Sequence, residues 1–191
     1  MRVGFTIMKK FFAVTLALSL CASLFGADSK PIEEVFQRYW GAYVKKDFVR
    51  AAADVLPSDL DAAKAALLPV FLEAQSRTDK ETQELVTMFF GRTVGKARET
   101  LSPQDVFAGL NRIITAGNPQ FFEVLKDASL TIVFVRRPDN ENAEIHFQVT
   151  VQAQSDMDAE SLTLKNGRWW VRINEDPKDI AEHFRSILKK T

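Results

Sequence analysis

Two histidines, His146 and His183, are the only imidazoles in this 191-residue chain. An imidazole titrates near neutral pH and acts as a general base when a substrate lies within contact reach. His146 alternates with Glu144 and Gln148 on the polar side of a strand-like stretch. It is the candidate base if that side lines a pocket, and an ordinary solvated side chain if it does not. His183 falls at the margin of an amphipathic helix and reads as a surface or half-buried residue. Two isolated histidines without ligand spacing do not make a metal site, and no metal or cofactor is expected. Tyr39, Trp40 and Tyr43 form an aromatic patch able to stack on a ligand, although such a stripe more often belongs to a core. Trp170 and Arg172 share the less apolar side of a short strand. Tyr39, Tyr43, His146, Trp170 and Arg172 are thus the candidate ligand-binding residues. Arg136 and Arg137 have the chemistry to hold a carboxylate or phosphate, but paired arginines entering a hairpin loop are usually solvated. The sequence contains no glycine-rich phosphate loop, no nucleophile motif and no close acid pair on a defined element.

The N-terminus bounds where such chemistry would operate. Met8-Lys9-Lys10 precedes an apolar run from Phe11 to Phe25, with small residues at Gly26-Ala27. This is the layout of a cleaved secretory leader over residues 1–27. The run is 15 residues, short of the ~20 that a membrane-crossing helix needs, so a permanent anchor is not expected. Cys21 is the only cysteine, and Leu20 stands where lipid modification requires a small residue, which argues against acylation. Residues 28–191 then form one cysteine-free globular domain, periplasmic or secreted. It carries 22 basic and 25 acidic residues, a net charge of −3. No basic stripe follows from that balance, so nucleic acid is excluded as a partner.

The elements that must position these side chains follow from periodicity. Ile32, Val35, Phe36, Tyr39, Trp40 and Tyr43 lie on one helical stripe opened by Pro31, with Ser29 as the expected cap. Asp47 caps a short second helix that Pro57 stops. Ser58 caps a third, carrying Leu60, Ala63, Leu67, Leu68 and Phe71, with a kink expected at Pro69. Another helix runs from about Asp79 to Phe90. Ser102-Pro103 and Asn118-Pro119 each pair a capping side chain with a proline in the first turn.

The period changes at Leu130. Leu130 to Val135 is β-branched and apolar on both sides, which predicts a strand covered on both faces. Ile145, Phe147, Val149 and Val151 alternate with polar residues in a second strand. Leu162–Leu164 and Trp169–Val171 flank Asn166-Gly167, the signature of a tight hairpin. That register sets Leu164 opposite Trp169 and Thr163 opposite Trp170, with the tryptophans on opposite faces. Asp176 and Pro177 open a closing helix through Ile180, Phe184, Ile187 and Leu188.

The expected architecture is therefore α+β, with helices packed on a curved antiparallel four-stranded meander. The aromatic first helix, Lys46-Asp47-Phe48 and the late Lys165-Asn166-Gly167-Arg168-Trp169-Trp170 resemble the nuclear-transport-factor-2-like superfamily, mainly over residues 31–56 and 129–173. The resemblance implies a cone of sheet and helices, often with a pocket inside. It departs from the usual pattern in the long helical insert from Ser58 to Lys126 and in the last helix. Three roles are compatible with these residues. The leading one is an exported, non-catalytic domain that binds a small molecule or a protein partner. The second is a pocket enzyme of isomerase or dehydratase type, with His146 as base and Tyr39 or Tyr43 as hydrogen-bond donor. The third, prompted by 15 phenylalanines, is a carrier of a hydrophobic ligand with a long apolar cavity.

Overall fold

The computed structural model describes residues 29–151 and 154–190. The expected leader, Cys21 included, lies outside them. Among the described residues seven α-helices and four strands follow in the order α1 (Lys30–Tyr43), α2 (Phe48–Ala52), α3 (Pro57–Ala74), α4 (Lys80–Phe90), α5 (Pro103–Gly117), α6 (Pro119–Leu125), β1 (Ser129–Arg136), β2 (Asn142–Val151), β3 (Gln154–Lys165), β4 (Arg168–Val171) and α7 (Pro177–Lys190), with a 3-10 segment over Gly95–Thr100. The strands form one open antiparallel sheet in the order β1-β2-β3-β4. The architecture is α+β, as expected. No helix among the described residues is long and apolar enough to cross a membrane.

Local chemistry explains most of the helix boundaries. Asp47 accepts from the Arg50 amide, Asp79 from the Thr82 amide, and Asp176 from the Lys178 amide. Ser102 and Asp105 form a reciprocal capping box at the start of α5. Three expected caps differ. The Ser29 hydroxyl bonds the Glu33 carboxylate at 2.6 Å instead of a backbone amide. Asn118 makes no side-chain cap. Ser58 does not cap α3: Leu56 holds the cap position and Pro57 is the first helical residue, because a proline there sacrifices only an amide the helix leaves unpaired. The helix then runs through Pro69 to Ala74.

Helix α1 lies on one face of the sheet. Its Ile32, Val35 and Phe36 pack with Ala143, Ile145, Phe147, Leu162, Trp169 and Val171. Helices α3, α4, α5 and α7 build a second core of their own, in which Phe71 and Phe89 stack with centroids 3.9 Å apart. Tyr39, Trp40 and Tyr43 line the joint between the sheet core and two smaller clusters under α2, α5 and α6. Two carboxylates, the buried Asp54 and the half-buried Asp59, tie β4 and the residue after it to the α2–α3 connection and the first turn of α3. Asp54, 6% exposed, takes Arg38 at 2.9 Å and Arg168 at 2.8 Å, while Asp59 takes Arg172 at 2.6 Å. Between them Val55 pairs in parallel with Val171.

The hairpin follows its sequence signature, with Leu164 opposite Trp169, Thr163 opposite Trp170, and positive φ at Asn166 and Gly167. Trp169 enters the core under α1 and Trp170 faces away. Two expectations about the sheet are corrected. β3 reaches back to Gln154, well before Leu162, because β2 offers an unbroken ladder to a polar segment that lacks an apolar rhythm of its own. β1 is not covered on both faces. It is an edge strand, and its outward residues Thr131, Val133, Phe134 and Arg136 are exposed.

Candidate functional site

The pleat decides which side chains can meet. Glu160 stands opposite Ile145, and so projects from the same face as Phe147 and Leu162, toward α1. A carboxyl at such a position lacks the water that would stabilise its charge. Its Oε1 accepts one hydrogen bond, 3.1 Å from Asn174 Nδ2, and no cation pairs with it among the described residues. Burial, reinforced by the like charge of Asp158, pushes Glu160 up to about 8, against weaker opposing pulls from the Ser161 backbone and Asn174.

The same burial, with the nearby Glu160 charge adding to it, raises Tyr39 well above the usual phenol value and Tyr43 to about 12. At neutral pH this corner therefore holds two phenolic protons and a largely protonated carboxyl. Such a group of O–H donors recognises an oxygen acceptor or exchanges a proton with one.

The opposite face carries a different set. Glu144 Oε2 receives Arg136 Nη2 at 2.7 Å and lies 3.3 Å from His146 Nε2. The Phe134 ring stacks on the imidazole with centroids 4.1 Å apart. His146 and its neighbour Phe147 point to opposite sides, and Phe147 packs on Phe36 and Trp40 of α1. The expected pairing of His146 with Tyr39 or Tyr43 in one pocket is thus overturned, because the sheet lies between them. His183 is exposed on α7.

On the His146 side, Arg136, Glu144 and Ser161 fall in one lateral row, which the Arg172 amide extends by bonding Ser161 O. This row borders a cleft of about 370 Å³ whose lining also includes Asn142 and Asn174. Arg136 is neutralised by Glu144 and Arg172 by Asp59. The cleft therefore presents amides, a hydroxyl and compensated charges. Asn174 belongs to both regions, bordering the cleft and holding Glu160. A wider depression of about 580 Å³ runs along α7, but its lining comes from four residues of that one helix, which gives no second wall to grip a ligand.

Of the other expected residues, Trp170 is covered by the Arg168 guanidinium at 4.0 Å and does not border the cleft. Arg137 lies over Trp169 at 5.3 Å and donates to Asn140 O. The structure therefore joins Tyr39 with Tyr43, sets Arg172 on the cleft, leaves His146 beside it, and separates Trp170. Glu160 was missed. It shares a face with Leu162, two residues on, but that relation becomes a signal only once the strand is known to reach back to Gln154. Among the described residues no group of three or more His, Cys, Asp or Glu could hold a metal ion. No family model, curated protein or solved structure matches this chain.

Proposed function

We propose that this chain is an exported, non-catalytic domain of nuclear-transport-factor-2-like type that binds a small polar molecule. The observation that carries this reading is the cleft of about 370 Å³ bordered by Arg136, Glu144, Ser161, Arg172 and Asn174. Its guanidinium groups are already satisfied by carboxylates, so a strongly charged ligand gains little there. A ligand with several hydroxyl or amide groups would exchange its water for Ser161 and the asparagines. The leader-like N-terminus supports export, and α1 laid on an antiparallel meander is in keeping with the superfamily resemblance.

The test is ligand-observed NMR against a panel of sugars, amino acids and amides, repeated on Ser161→Ala and Asn174→Ala. Binding of one class that both substitutions weaken supports the reading. Turnover of any small substrate that disappears in His146→Ala refutes it.

A second reading, a pocket enzyme, is favoured by Glu160 rather than by His146. A carboxyl pushed up to about 8 beside two protonated tyrosines suits general acid-base work near neutral pH. Here Glu160 would exchange the proton and a tyrosine would steady the acceptor oxygen. Activity that survives His146→Ala and vanishes in Glu160→Gln would favour this reading over simple binding. The hydrophobic-carrier reading has less support, because Phe36, Phe71, Phe89, Phe90, Phe122 and Phe147 are all fully buried in packed clusters and none borders the cleft.

A further inference from the structure

β1 has the sequence of an interior strand and the position of an edge strand. Leu130-Thr131-Ile132-Val133-Phe134-Val135 contains no charge and no proline, yet among the described residues β1 pairs with β2 alone. A bulge between Ile132 and Phe134 sets two successive apolar side chains outward, so that Val133 is 50% and Phe134 43% exposed. Met157 on β3, 56% exposed, continues the same side of the sheet. Edge strands of soluble proteins are commonly blunted by a lysine, a proline or an inward charge. Apart from its bulge, this one has no such guard.

The charges at the two ends of β1 indicate what fits it. Lys126-Asp127 precede the strand, and Arg136-Arg137 end and follow it. Lys126 is already paired with Glu123 at 2.6 Å, which leaves the exposed Asp127 as the negative end. Arg136 is likewise paired with Glu144 at 2.7 Å, which leaves Arg137 as the positive end. A second β1 running parallel would set arginine beside arginine. Running antiparallel, it brings each Arg137 to the partner's Asp127, while the uncharged stretch from Ser129 to Val135 pairs with itself. We infer that two copies of this chain associate through antiparallel β1–β1 pairing, which joins their sheets into one of eight strands.

A two-fold pairing of this kind is isologous, so a single surface meets itself and the assembly closes at two copies. The strand contributes eight residues of ladder, and Val133 and Phe134 add apolar area beside it. A ladder of this length is small beside the roughly 1,200–2,000 Å² of a standard interface, which points to a weak, concentration-dependent dimer. The association does not depend on what the cleft binds.

The experiment is sedimentation equilibrium on the full chain and on Val133→Lys, with hydrogen exchange of the β1 amides in both. Val133 is half-exposed, so lysine there leaves the monomer's packing intact, and an unchanged melting temperature under dilute conditions checks this. Wild type is expected to sediment as a concentration-dependent dimer, and the lysine variant as a monomer at least tenfold beyond that range. Every β1 amide is expected to be protected in the wild-type dimer, whereas in the variant only those facing β2 remain so. Val133→Thr, which keeps an uncharged β-branched side chain, retains the dimer. A monomeric wild type, a dimer untouched by the lysine, or unprotected outward amides in the dimer would each overturn the inference.

Discussion

Glu160→Gln replaces a half-buried carboxyl by an amide of nearly the same shape. In the folded chain the carboxyl is pushed up to about 8, against 4.5 for the ordinary group. Between those values the folded state binds more protons than the unfolded state, so wild-type stability falls as pH rises through the window and levels off above it. Each pKa unit is worth about 1.4 kcal/mol, so the displacement from 4.5 to about 8 sets an upper bound of about 5 kcal/mol. Glu160 keeps part of its surface in solvent, which screens the charge, and the effect expected is about 2 kcal/mol. Glutamine titrates nowhere, so the variant should match wild type near pH 5 and exceed it by about that 2 kcal/mol near pH 9. The measurement is urea unfolding of both proteins across this range. The other carboxylates titrate in both and cancel in the difference. Tyr39 and Tyr43 ionise above the window and do not intrude. Parallel pH profiles for the two proteins would show that Glu160 carries its charge without penalty, and the account of the inner corner would fail.

Further outcomes follow from packing and capping. Gly109→Ala puts a methyl group 2.5 Å from Phe89 O, where α4 and α5 cross. The helices must part, and a loss of about 1–3 kcal/mol is expected in thermal unfolding. Asp54→Ala strips Arg38 and Arg168 of their shared partner and should lower stability by about 1–3 kcal/mol; the extra loss on adding Arg168→Ala should be smaller than that of Arg168→Ala alone. Ser102→Ala removes half of a capping box and should cost about 1 kcal/mol, with exchange speeding first in the opening turn of α5.

Much of the site's frame was legible along the chain. The stripe from Ile32 to Tyr43 marked a helix with one buried side, and Asn166-Gly167 set the register of Trp169 and Trp170 before any contact was known. Glu160 was not legible, because a run such as Gln154 to Ser161 carries no apolar rhythm and becomes a strand only through the ladder β2 offers. The caps show the same limit on a smaller scale. A serine before a helix signals its start, but whether the hydroxyl meets an amide or, as at Ser29, the Glu33 carboxylate depends on the geometry of the turn.

The sequence by itself determined the α+β order of elements, the helix carrying the two tyrosines and the tight final hairpin. Each rests on interactions within a few residues, through side-chain period, capping chemistry or the need for positive φ. Only the tertiary structure decided that His146 and the tyrosines stand on opposite sides of a sheet, that Glu160 lies beneath α1, and that β1 is an edge. Those facts depend on which strand pairs with which and on what lies across each face. Both are set by contacts between residues far apart in the chain, and no local pattern records them.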